Sequence, residues 1–180
     1  MQRKVWAVTV LASFMAMGAH AQEQRTLYLQ GGVAERSAYA TTVGVTLPWQ
    51  SWAWQLGSGQ VTGQWDAYWS NWSSRPAQAS RRNTWMLGIG PSLRWRGEQG
   101  QSPWFVEAGT GIHYANRRYR TGSDEFGTRY NFSSHLGVGR NFGAQRTHEV
   151  SLRIQHSSNA GIKKPNPGEN FLLLRYAHPF

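Results

Sequence analysis

The stretch Thr84 to Gly97, TWMLGIGPSLRWRG, alternates without a break: Trp85, Leu87, Ile89, Pro91, Leu93 and Trp95 fall on one face at period two, and Met86, Gly88, Gly90, Ser92 and Arg94 fall on the other. Successive side chains of a β-strand point to opposite faces, so this is a strand with one apolar side and one side of small and charged residues. A strand rises ~3.3 Å per residue, and at a tilt near ~40° the two tryptophans sit roughly 25 Å apart along a membrane normal. That is about the height of the apolar band of an outer-membrane barrel, and tryptophan marks both of its edges. A soluble β-sandwich also alternates, but it does not usually keep glycine and charge on its inner face and tryptophan at its strand ends.

The same pattern recurs downstream. Trp104, Val106, Ala108, Ile112 and Tyr114 oppose Glu107, Gly109, Gly111 and His113; Phe132, Leu136, Val138 and Phe142 oppose Asn131, His135, Gly137 and Asn141. Turn signals divide the chain into segments at 25–35, 38–49, 57–72, 84–97, 103–118, 128–142, 148–159 and 169–180. Eight is an even count and the smallest usual barrel, so the expected fold class is all-β, an eight-stranded antiparallel transmembrane β-barrel spanning residues 22–180. The chain ends on Phe180, and a C-terminal aromatic resembles the assembly signal of bacterial outer-membrane barrels. With both termini on the periplasmic side, the loops RPAQASRRN, RRYRTGSDEF and AGIKKPNPGE face outward, and the shorter GEQGQS and FGAQR face inward.

The remaining composition agrees. Residues 1–21 read as a secretory signal peptide: Arg3 and Lys4, an apolar run from Val5 to Met17, and a small-residue ending at Ala19-His20-Ala21. That run is shorter than the ~20 residues a spanning helix needs, and no later run is longer, which argues against an α-helical membrane protein. Cysteine is absent, so backbone pairing and packing must hold an exported chain together. The net charge of +10 falls by two, to +8, once Arg3 and Lys4 leave with the leader. A basic exported chain of this kind suits an anionic membrane surface better than nucleic acid.

The strand HEVSLRIQHSSN carries Val150, Leu152 and Ile154 at period two into His156 and Ser158, while Glu149, Ser151, Arg153, Gln155 and Ser157 face the interior. Ser158, not Ser157, is therefore the serine beside His156. Residues two apart on a strand lie roughly 6.6 Å apart at Cα, within reach of an imidazole that could act as the base a serine nucleophile requires. A lone His-x-Ser is a weak signal, since the same two residues could simply end a lipid-facing stripe near water. His113 and His135 point inward and read, with Asp66, Glu107, Arg153 and Arg175, as polar filling of a narrow barrel. The histidines show no metal-ligand spacing, and no nucleotide-type glycine loop precedes a helix.

A longer pattern surrounds the pair: His156, then Ser158-Asn159-Ala160-Gly161, Pro165-Asn166, Gly168, an acidic residue, and Tyr176 on the final strand. Over about thirty residues it resembles the outer-membrane lipid A 3-O-deacylases. The resemblance implies an eight-stranded barrel with a serine-hydrolase site on its outer surface, one that needs no metal or cofactor and releases the ester-linked acyl chain at position 3 of lipid A. By position it makes His156 the general base and Ser158 the nucleophile, with Asn159 and the N–H of Gly161 steadying the oxyanion. The family's acidic residue aligns with Asn170, one position after Glu169. In an unbroken strand that offset turns Glu169 to the opposite face from Asn170, Leu172, Leu174 and Tyr176, although a bulge could absorb it. A carboxylate also stabilises an imidazolium, so Glu169 is the expected third member, with Asn170 as the alternative. A non-catalytic small barrel and an outer-membrane phospholipase are the rival readings. Homo-oligomerisation stays open, and no nucleic-acid partner is expected.

Overall fold

The computed structural model describes residues 23–180; the expected signal peptide lies outside the described residues. Ten strands follow one another: β1 (Thr26–Ala34), β2 (Tyr39–Leu56), β3 (Gly59–Ser74), β4 (Arg82–Arg96), β5 (Trp104–Ala115), the two-residue β6 (Arg120–Thr121) and β7 (Asp124–Glu125), β8 (Tyr130–Phe142), β9 (His148–Ser158) and β10 (Glu169–Pro179). The eight long ones form a closed antiparallel barrel in the order β1-β2-β3-β4-β5-β8-β9-β10, sealed where β10 pairs back onto β1 from Thr26↔Pro179 to Ala34↔Phe171. Closure gives each of the eight barrel strands a neighbour on both sides, which is what a sheet immersed in lipid requires.

The barrel is inside out relative to a soluble protein. Leu29, Ile154 and Leu174 are 61%, 60% and 59% exposed, whereas Arg94 and Arg175 are 3% and 1% exposed. In water so much exposed aliphatic surface would demand burial elsewhere; in a bilayer it is the lipid face. Toward the end that carries the termini, the interior is an ion network. Arg94 sits between Glu149 at 2.7 Å and Glu107 at 3.1 Å, Arg153 between Glu107 at 2.6 Å and Asp66 at 3.3 Å, and Arg175 lies 3.0 Å from Asp66. Buried charges survive when each is paired, and each of these is, although Arg94 Nε, Arg153 Nη2 and Arg175 Nε have no hydrogen-bond partner among the described residues. Toward the other end the filling turns aromatic: Trp72, Phe171, Met86 and Leu173 pack with Tyr119 and Phe126, which the loop between β5 and β8 folds into the barrel mouth.

Two segments depart from the sequence reading. The turn signals end the second segment at residue 49, whereas β2 runs to Leu56, across a register shift between Pro48 and Ala53 where Ser51 adopts φ 60°. Between those two pairs β2 advances five residues while β3 advances two, so three extra residues of β2 are accommodated as an enlarged bulge, and the turn is made by Gly57 at φ +61°. The β2–β3 hairpin thus extends beyond its neighbour β1 on the inner side, carrying exposed Trp52 and Trp54. Within the outward loop RRYRTGSDEF, β6 and β7 form a small hairpin of their own, held by Arg120–Glu125 at 2.7 Å.

Candidate active site

β9 and β10 pair without a register shift from Glu169↔Ser157 to Ala177↔Glu149, and this ladder assigns every side chain near the outer rim. Asn170 is directly opposite His156, and both lie on the lipid-facing side. Asn170 Oδ1 accepts a hydrogen bond from His156 Nδ1 at 2.7 Å. Asn170 Nδ2 in turn donates to Glu35 Oε1 at 3.3 Å, across to the turn between β1 and β2.

Glu169 is not brought to the imidazole, and the expectation that it is the partner of His156 is corrected. It lies inside the barrel, 2% exposed, and accepts a hydrogen bond from Tyr119 Oη at 2.9 Å. No bulge interrupts β10 to absorb the one-residue offset, so alternation sends Glu169 inward and Asn170 outward. Burial and then the adjacent Glu169 carboxylate push the Tyr119 phenol well above its ordinary pKa, keeping that hydroxyl a neutral donor. Glu169 thus anchors the loop that closes the barrel mouth.

On the other side of His156 the polar row continues. Ser134 of β8 stands opposite His156, and Thr110 of β5 stands opposite Ser134 with their hydroxyls 3.0 Å apart. Thr110, Ser134, His156, Asn170 and Glu35 thus form a circumferential polar line on the outer wall. Below it lie Ala108, Leu136, Ile154, Leu172 and Val33, which line an open apolar groove of about 810 Å³ that reaches His156 and Asn170. The small side chain of Ala108 beside the larger Leu136 and Ile154 recesses the wall at that point.

Ser158 ends β9 on the same face as His156, two residues on. The turn that follows is organised by Asn159, which is fully buried: its N–H donates to Asn166 Oδ1 at 2.9 Å, its Nδ2 to the Lys163 carbonyl at 2.6 Å, and its Oδ1 accepts from the Gly161 N–H at 3.0 Å. Both expected oxyanion donors therefore have protein partners. The backbone N–H aimed at Ser158 Oγ belongs to Ala160, at 3.4 Å. Ala160 holds φ 52°, a left-handed conformation uncommon for a residue with a side chain, and Gly161 follows at φ +78°. The loop's far end is pinned by Gly127 N donating to the Pro165 carbonyl at 2.7 Å and Arg36 donating to the Gly168 carbonyl at 3.1 Å. Tyr176 stands apart at the inner end, 2.8 Å from His148 Nδ1.

Sequence reasoning missed Glu35 and Ala160. No local pattern marks Glu35, 135 residues from Asn170 and joined to it only by barrel closure. For Ala160 the neighbouring glycine signalled a turn but not which N–H it would direct at the serine. Asn170 was legible as the alternative, from the lipid face it shares with Leu172 and Leu174.

A family model described as "Lipid A 3-O-deacylase (PagL)" matches residues 38–179. The lipid A deacylase PagL of Pseudomonas aeruginosa is 27% identical over 177 residues, covering 98% of this chain and 99% of that protein. The lipid A deacylase PagL of Bordetella bronchiseptica is 31% identical over 120 residues, 63% of this chain and 57% of that protein. The crystal structure of the outer-membrane enzyme PagL superposes with a TM-score of 0.72 at 26% identity, covering 86% of this chain and 99% of that one. With a barrel of the same build and a family match that runs through β2 to β10, the chain belongs to the lipid A 3-O-deacylase (PagL) family.

Proposed function

We propose that the chain hydrolyses the ester holding the 3-hydroxyacyl chain at position 3 of lipid A, in the outer leaflet of the outer membrane, with Ser158 as nucleophile and His156 as general base. The observation that carries the assignment is the imidazole itself: it is held through Nδ1 by Asn170, on the lipid-facing wall at the head of an apolar groove, two residues from a serine on the same face. A histidine that merely closed a lipid stripe would have no need of an oriented ring beside an apolar recess of about 810 Å³.

The reaction divides into two steps. Ser158 Oγ attacks the acyl carbonyl as His156 Nε2 takes its proton, and the tetrahedral oxyanion collapses with transfer of that proton to the departing sugar hydroxyl. Water, deprotonated by the same nitrogen, then cleaves the acyl-enzyme and releases the fatty acid. The Ala160 N–H, already directed at Ser158, is the oxyanion donor, and one such donor contributes roughly 3 kcal/mol to lowering the barrier. Asn159 and Gly161 serve the oxyanion indirectly, by fixing the turn that aims Ala160. Asn170 fills the orienting role that a carboxylate fills in other triads, as an amide does in Cys-His-Asn hydrolases. The groove below His156 receives the acyl chain, while the sugar and its phosphates stay at the level of the outer loops. No metal or cofactor enters this chemistry.

Mass spectrometry of lipid A before and after incubation with the refolded barrel tests the reading, the expected product lacking one hydroxyacyl chain. Ser158→Ala and His156→Ala should each abolish that loss, whereas Ser157→Ala, inside the barrel and hydrogen-bonded to Ser133 at 2.7 Å, should retain it. Fatty acid released from phospholipid bilayers but not from lipid A would make the enzyme a phospholipase instead. Release from neither would leave a non-catalytic barrel.

A further inference from the structure

We infer that Glu35, on the turn between β1 and β2, is a positioning residue that sets the tautomer of His156 by dictating which way the Asn170 amide faces. The inference rests on the reading of His156 as general base. An amide is ambiguous as a histidine partner: with its oxygen toward Nδ1 it holds the Nδ1–H tautomer, and with its NH2 toward Nδ1 it holds the other. Only the first leaves the Nε2 lone pair free to take a proton from Ser158. A carboxylate partner cannot make this error, because it only accepts; an asparagine can.

The contacts resolve the ambiguity. An ionised carboxylate has no hydrogen to donate, so the Asn170 group that meets Glu35 Oε1 at 3.3 Å must be the NH2. The carbonyl oxygen is then left for His156 Nδ1 at 2.7 Å, and that nitrogen must carry the hydrogen. Glu35 is placed for this by closure of the barrel: Ala34, the residue before it, pairs with Phe171, the residue after Asn170. Its neighbour Arg36 turns away to the Gly168 carbonyl and to Asp124, leaving the Glu35 carboxylate toward the amide. The negative charge missing from the β10 position thus stands one residue further out, on the adjoining strand's turn, and acts through the amide.

Substitutions at Glu35 separate this from a general role in the loop. Glu35→Ala, which lets the amide take either orientation, should lower kcat by about tenfold with little change in KM. Glu35→Lys should be worse, because an ammonium only donates and would draw the amide oxygen away from His156; a wrong-tautomer imidazole costs up to about 10⁴ in kcat. Glu35→Asp should recover most of the activity. On an Asn170→Asp background, where no NH2 exists to be misdirected, the gap between Glu35 and Glu35→Lys should shrink to within about threefold.

The direct readout is long-range ¹H–¹⁵N NMR of histidine-labelled protein in detergent micelles, with the His156 signals assigned by comparison with His156→Gln. The native barrel should show the Nδ1–H tautomer, and Glu35→Lys the Nε2–H tautomer. Nδ1–H in both proteins, whatever their activities, overturns the inference, as does an equal loss on the Asn170→Asp background. These spectra need no substrate. Survival of activity in Ser158→Ala would sink the hydrolase reading alone, while an unchanged tautomer beside an inactive Ser158→Ala would sink the role of Glu35 alone.

Discussion

The proposed mechanism needs the far nitrogen of the His156 imidazole to be held, and on this barrel the residue that reaches it is Asn170 rather than the neighbouring carboxylate. The two side chains differ by one position and by the whole thickness of the wall. Asn170→Ala removes the contact and lets the ring rotate, so kcat for acyl release should fall by about 10² or more while KM changes little. Glu169→Ala should leave turnover within a few fold. Its cost is structural: the buried Tyr119 hydroxyl loses the carboxylate it donates to, a change of about 1–3 kcal/mol in stability. Steady-state kinetics on lipid A and urea midpoints measured on the two variants should therefore rank them in opposite orders.

At the scale of an element, the loop from Asn159 to Gly168 is what shapes the surroundings of Ser158 and His156. Its hydrogen bonds lie within the turn and to the outer rim, and its last residue, Gly168, lies beside the His156 ring. Gly168 has φ +69°, and a Cβ there would lie 2.8 Å from His156 Cε1. Gly168→Ala thus adds backbone strain and also pushes the imidazole. Gly122, in the small β6–β7 hairpin, has φ +55° but open space around the missing Cβ. The two glycines make a matched pair: Ala at either position should cost a similar ~1 kcal/mol of backbone strain, but only Gly168→Ala should reduce kcat, by tenfold or more. Equal activities would show that the ring has room to yield.

For the whole molecule, charge is segregated by radius and by height. Ions inside the barrel are paired with one another, aliphatic side chains face lipid, and the outer rim is basic. Several rim cations are engaged locally: Arg81 with the Ser37 and Ser73 carbonyls, Arg118 and Arg120 with Glu125. Lys163 and Lys164 are exposed on the same loop as the turn after Ser158. Replacing both with Gln should raise KM for phosphorylated lipid A more than for a dephosphorylated form. The difference should narrow as salt rises, because exposed charges are screened within a Debye length of ~10 Å at 0.1 M. An equal effect on both substrates would leave these lysines as ordinary surface charges.

What the amino-acid order determined alone is what depends on a single strand. Period-two alternation in TWMLGIGPSLRWRG and its successors assigns each side chain to lipid or lumen, because the β-backbone imposes that alternation residue by residue without reference to a partner. From it came the barrel, its eight long strands, and the placement of His156 and Ser158 on one face. Tertiary structure decided what depends on several strands at once. The ladder between β9 and β10 sets Asn170 against His156 and turns Glu169 inward, closure of β10 onto β1 brings Glu35 to Asn170, and the folding of the loop after Ser158 commits two backbone donors and leaves the Ala160 N–H directed at the serine. Those contacts follow from register, and register is fixed by hydrogen bonds and packing summed over the closed barrel, a quantity no local stretch of sequence contains.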